Sequence, residues 1–123
     1  MQLFNHVVDK NYNKEVMSKE NPFVLVFVSK TCPHCRTVEQ FIAKIEKEYP
    51  EVNLYFIESE KSPKLLEKFM VRGFPLTLFI NKEKKILHSI VGAGSATDFF
   101  KGFDKISSNK KKDKNFFSSF FGG

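Results

Sequence analysis

Phe23-Val24-Leu25-Val26-Phe27-Val28-Ser29-Lys30-Thr31-Cys32-Pro33-His34-Cys35 is the stretch on which the fold turns. Its first six residues are apolar without a break and rich in β-branched and aromatic side chains. A strand with one wet face alternates; one that does not is buried on both faces, as in a sheet covered by helices on either side. Asn21-Pro22 breaks the chain before it. Beyond it, from Cys35 to Glu48, Val38, Phe41, Ile42 and Ile45 recur at helical spacing, and Pro50 closes the segment. Cys32 is therefore expected where a buried strand hands over to the head of a helix.

Working outward, Leu3 to Val8 reads as a short strand, Asn11 to Ser18 as a short helix, and Val52 to Ile57 as a second buried strand. Ser62-Pro63 predicts a helix start, with Ser as N-cap and Pro in the first helical position, running to about Phe69. Leu76 to Ile80 and Ile86 to Val91 are strands separated by Asn81-Lys82-Glu83-Lys84-Lys85, short enough to demand an antiparallel hairpin. Ser95, with Asp98 three residues on, resembles a capping box that opens a last helix carrying Phe99, Phe100, Phe103 and Ile106. The order β-α-β-α-β-α-β-β-α predicts an α/β fold, a central mixed β-sheet flanked by helices.

The 123 residues suffice for one domain with its own core, in which fifteen Phe and no Trp carry the aromatic packing. Of the formal charge of +6, residues 107–123 hold half, Lys110, Lys111, Lys112 and Lys114 against Asp113. This balance points to acidic partners or an anionic surface. Nucleic acid is not expected as a partner, because no basic stripe runs through the rest of the chain. The N-terminus lacks the basic start and apolar run of a secretory signal, and no stretch approaches the roughly 20 apolar residues of a membrane span. A cytoplasmic, reducing location is the expectation, and two cysteines there are catalytic more often than structural.

The spacing of Cys32 and Cys35 brings two sulfurs to one helix face within bonding reach. At a helix head, free N–H groups and the dipole favour an anion, so Cys32 is the expected thiolate and nucleophile, and Cys35 the residue that resolves the mixed disulfide. Pro33 suits the first turn, where its missing N–H has no helical partner. His34 beside the sulfurs is expected to tune the potential by stabilising the thiolate. A structural staple across so tight a loop removes little entropy from the unfolded chain. Zinc needs four ligands, and no second Cys-x-x-Cys or His pair at ligand spacing exists; His6 and His88 are isolated. Neither a metal nor a bound cofactor is expected.

Arg72-Gly73-Phe74-Pro75, between a helix and a buried strand, completes a pattern that resembles the thioredoxin family. In that family a Gly-x-Pro before the hairpin carries a cis proline facing the cysteines, and Gly73-Phe74-Pro75 matches it. The resemblance implies that Gly73, Phe74 and Pro75 contact an extended substrate segment. It continues through Val91-Gly92-Ala93, similar to the family's Val-Gly-Ala before the last helix, which adds Gly92 to the substrate-binding set. It spans residues 2–107 and implies a thioredoxin fold and an enzyme exchanging dithiol for disulfide on protein substrates, as a monomer recycled by a separate reductase or oxidase.

The departures from that family matter too. Thr31-Cys32-Pro33-His34-Cys35 replaces the usual Trp-Cys-Gly-Pro-Cys, and its His resembles bacterial disulfide oxidases and protein disulfide isomerases. Thioredoxins bury an acid and a Lys where this chain has Val26 and Phe56, and Glu58 is the sequence's nearest substitute. Val28-Ser29-Lys30-Thr31-Cys32-Pro33-His34-Cys35 also resembles glutaredoxins, so a glutathione-linked activity using Lys30 or Arg72 is the alternative enzyme, and a non-catalytic adaptor the alternative of another class. The proposed domain covers residues 1–107. In 108–123, lysines precede Phe116, Phe117, Phe120 and Phe121, a composition suited to a membrane surface or a groove on a partner protein.

Overall fold

The computed structural model describes residues 5–107. Five strands form one sheet in the order β1-β3-β2-β4-β5. They are β1 (Asn5–Val7), β2 (Phe23–Val28), β3 (Asn53–Glu58), β4 (Leu76–Ile80) and β5 (Ile86–Val91). β1 and β2 both run parallel to β3, whereas β4 is antiparallel to β2 and β5 to β4. Among the described residues three α-helices flank the sheet: α1 (Pro33–Glu46), α2 (Pro63–Lys68) and α3 (Ala96–Ile106). The tail from Ser108 onward lies outside the described residues.

β2 is central, and all six of its residues are buried. Successive side chains go to opposite faces. Val24, Val26 and Val28 join Leu54, Phe56, Phe79 and Ile90 beneath α1 and α3. Phe23, Leu25 and Phe27 join Val7, Tyr55, Ile57, Leu78 and Ile80 on the other face, under Leu65 of α2 and the segment holding Tyr12 and Val16. The uninterrupted apolar run is thus explained: each face has its own core. α3 approaches β4 so closely that a Cβ on Gly102 would fall 2.5 Å from the Phe79 ring, which accounts for a glycine inside that helix.

Several local expectations shift. Asn11 to Ser18 is not an α-helix but a 3-10 turn (Asp9–Asn11) followed by a π-type turn (Asn13–Met17). The Asn11 side chain accepts the Val8 N–H at 2.9 Å, and the Ser18 N–H reaches back to the Asn13 carbonyl at 3.1 Å. Side chains that bond the local backbone compete with the α pattern, and so short a segment has little helical cooperativity to resist them. α1 begins two residues before Cys35, with Cys32 as its N-cap, and ends at Glu46. Ser95 accepts the Asp98 N–H at 3.3 Å, as its capping role requires.

α2 departs most. Ser62 is its N-cap residue and Pro63 its first, but the Ser62 hydroxyl turns back and donates to the Glu58 carbonyl at 2.7 Å. The free N–H groups of Lys64 and Leu65 donate instead to the Asp9 carboxylate, at 2.8 and 2.9 Å. The cap comes from a residue far back in the chain.

Candidate active site

The C-terminal end of β2 faces the N-terminal end of β4, with Phe27 paired to Leu76. The turn Ser29–Thr31 and Gly73-Phe74-Pro75 therefore emerge at the same end of the sheet. Gly92, following Val91 (itself paired with Leu76), lies there too, and its N–H donates to the Pro75 carbonyl at 2.8 Å. The Phe74–Pro75 peptide is cis, as expected. Pro75 is buried, and half-buried Phe74 packs against both cores. Gly92 has φ +82°, a backbone conformation that only glycine adopts without strain.

Cys32 and Cys35 are joined in a disulfide, with Cα atoms 5.4 Å apart. Their environments differ sharply. Cys35, inside the first turn of α1, is 3% exposed and belongs to the core. Cys32 is half-buried and packs only at its margin. No side chain caps α1, and no acidic residue occupies its first turn. Pro33 and His34 are exposed on that turn, and a depression of about 400 Å³ is lined by Lys30, Thr31, Cys32, Pro33 and Arg36. On this side the outer sulfur thus meets cationic side chains and helix amides that no side chain caps, a setting that favours a thiolate.

On the other side, both cysteines line a cavity of about 280 Å³. Its walls gather side chains remote in sequence: His6 from β1, Glu39 from α1, Glu58 from the end of β3 and Glu60 from the turn beyond it. His6 Nδ1 lies 3.5 Å from a Glu58 oxygen, and Lys61 Nζ lies 3.8 Å from the other. Glu60 accepts the Ser29 hydroxyl at 2.7 Å and the Lys30 N–H at 3.0 Å. Those bonds, the Ser29 hydroxyl foremost, pull its carboxyl down to about 2. Glu60 thereby anchors the turn that delivers Cys32. Glu39 shifts the other way: burial outweighs the attraction of His6 and Arg36 and lifts its carboxyl above the ordinary value.

Of the residues singled out in the sequence, the structure brings together the cysteines with Pro33 and His34, and Gly73, Phe74 and Pro75 with Gly92. Glu58 does reach the cysteine cavity. Glu60 and Glu39 escape the sequence reading and His6 looks isolated in it, because each resembles a solvated residue until the sheet order places it. Among the described residues no helix is long and apolar enough to cross a membrane.

The sequence profile of the Thioredoxin family matches residues 4–105. The chain is 29% identical over 103 residues to the chloroplastic thioredoxin M5 of Oryza sativa subsp. japonica, covering 82% of this chain and 59% of that one. It is 28% identical over 83 residues to a thioredoxin of Rickettsia bellii, covering 66% of this chain and 79% of that one. Among solved structures, one from work on the thiol-resolving mechanism of a yeast mitochondrial 1-Cys peroxiredoxin superposes with a TM-score of 0.72. That match covers 84% of this chain and 95% of that one at 17% identity, a likeness of fold.

Proposed function

We propose that the chain, a thiol–disulfide oxidoreductase of the thioredoxin family, acts on protein disulfides with Cys32 attacking and Cys35 resolving. The difference in burial between the two sulfurs carries this reading: Cys35 is 3% exposed, whereas Cys32 is half-buried at the N-cap of α1. In the reducing direction the Cys32 thiolate attacks a substrate sulfur, forming a mixed disulfide and releasing the partner sulfur as a thiolate. Cys35 then attacks Cys32, closing the Cys32–Cys35 disulfide and expelling the second substrate sulfur. The substrate gains two electrons and the protein loses them; a separate dithiol reductase returns them. In the oxidising direction the same bonds run backward.

His34, exposed on the first turn, is assigned the tuning of the potential, with Pro33 fixing the turn that carries it. Gly73, Phe74, Pro75 and Gly92 are assigned to an extended substrate segment laid across the same end of the sheet. A monomer working in a reducing, cytoplasmic setting fits the cysteine usage. Residues 108–123 are assigned to contact with an anionic surface or a partner groove, outside the exchange domain.

Turnover of insulin disulfides tests the assignment. Cys32→Ser should fall to background, whereas Cys35→Ser should stall as a mixed disulfide through Cys32 that is visible by mass. Retention of turnover by Cys32→Ser would sink the proposal.

A further inference from the structure

Resolution of the mixed disulfide requires Cys35 as a thiolate, and its surroundings oppose that. Cys35 packs in the core beside Val38 and Val28, and apolar burial raises the pKa of a thiol. Val26 and Phe56, both 0% exposed in the same core, offer no base. The polar way out is the cavity of about 280 Å³ that both cysteines line. At ~30 Å³ per molecule in the liquid, it has room for several waters.

Three carboxyl groups line that cavity, and two are committed elsewhere. Glu60 holds the Ser29 hydroxyl and the Lys30 N–H, which makes it a poor base. Glu58 lies between His6 and Lys61. Glu39 stands one turn of α1 beyond Cys35, on the same helix face, and is half-buried. Among the described residues no hydrogen bond or ion pair within 4 Å holds it. The charges around it are Arg36 of its own helix, His6 of β1, Glu58 of β3, Glu60 beyond β3 and Lys30 before α1. Burial prevails over the nearby cations and leaves its carboxylate more basic than usual.

We propose that Glu39 is the proton acceptor for Cys35 in the resolving step, reached through water in the cavity between them. The Cys35 thiol gives its proton to the Glu39 carboxylate, and the resulting thiolate attacks Cys32. The Cys32–Cys35 bond forms, the bond from Cys32 to the substrate sulfur breaks, and that sulfur leaves as a thiolate. Glu39 then loses the proton to solvent. The inference rests on Cys35 being the resolving residue.

Stopped-flow reaction of the reduced full chain with 5,5′-dithiobis(2-nitrobenzoate) separates the two halves. The first release of thionitrobenzoate reports attack by Cys32 and the second reports resolution by Cys35. Glu39→Gln should leave the first release unchanged and slow the second ~10-fold or more near about pH 6, where proton transfer to a carboxylate matters. The difference should close toward about pH 9, where hydroxide removes the thiol proton without help. Glu39→Asp, which keeps the acid, should recover part of the lost rate. A role limited to packing would instead slow the second release equally at every pH. That result, an unchanged second release, or slowing in Glu58→Gln or His6→Asn but not in Glu39→Gln, would overturn the proposal. Cys35→Ser separates the two ideas: if it still gives a second release, Cys35 does not resolve, and the functional reading fails rather than the choice of base.

Discussion

α1 and α2 begin with the same local grammar and end up chemically opposite. Each opens on a proline in its first position, Pro33 or Pro63, after a small polar N-cap residue, Cys32 or Ser62, whose side chain accepts no capping bond. At α2 the free amides are taken by the carboxylate of Asp9, brought from β1's side of the sheet. At α1 no side chain takes them, and the Cys35 N–H turns to the Cys32 carbonyl at 3.4 Å. A carboxylate does stand near α1, but Glu60 binds the Ser29 hydroxyl and the Lys30 N–H, upstream of the N-cap, and so fixes the approach without filling the helix end. Two helix ends of like sequence thus differ in what meets them, a fixed carboxylate at α2 and, at α1, the sulfur to which the proposed function assigns the thiolate.

Breaking the α2 side should have the largest effect on the fold. Asp9→Ala is expected to lower the unfolding free energy by about 1–2 kcal/mol, the usual weight of a lost N-cap, measured by urea denaturation. The rate of Cys32 alkylation should stay as it was. A matching change at Cys32 would mean that the two helix ends are not independent.

The α1 side is sharpened by His34→Pro. With the imidazole gone from the first turn, the reduced form loses a stabiliser of its thiolate. The potential of the Cys32–Cys35 couple should fall by about 30 mV or more against glutathione, each 30 mV corresponding to about 1.4 kcal/mol. An unchanged or higher potential would show that His34 takes no part.

The smallest effect is expected from Glu60, which is exposed. Its lowered carboxyl means that the folded form holds the ionised group more tightly than the unfolded chain does. Its contribution is therefore present above the ordinary value of 4.5 and is lost as pH falls through about 2. The Lys30 amide should lose hydrogen-exchange protection across that window. In Glu60→Gln it should be poorly protected at neutral pH as well, with little change in overall stability.

What the sequence disclosed follows the range of the interactions. β2, the β4–β5 hairpin and the Cys32–Pro33–His34–Cys35 head of α1 were legible because periodicity, turn length and helix-end chemistry are local. Glu58 was within reach of sequence reasoning because it ends a readable strand. Asp9 as the cap of α2 was not: its partners are Lys64 and Leu65, and only the sheet order β1-β3-β2 brings that segment beside α2. Glu39, Glu60 and His6 are hidden for the same reason, since polar residues on separate elements acquire a role only where the elements meet. The short helix expected over 11–18 is there, but its 3-10 and π-type winding was not legible, because so short a segment has little cooperativity to hold the α pattern.

The head of α1, which no side chain caps, is the centre of this account, and site-resolved alkylation of the reduced protein tests it most directly. Labelling by iodoacetamide across pH, read at each cysteine by peptide mass, gives the thiolate fraction of the two sulfurs separately. Cys32 should react first and already at about pH 6, well below the ordinary thiol value of about 8.5, while core-bound Cys35 stays unlabelled. Preferential labelling of Cys35, or a Cys32 that reacts only near about pH 8.5, would contradict it.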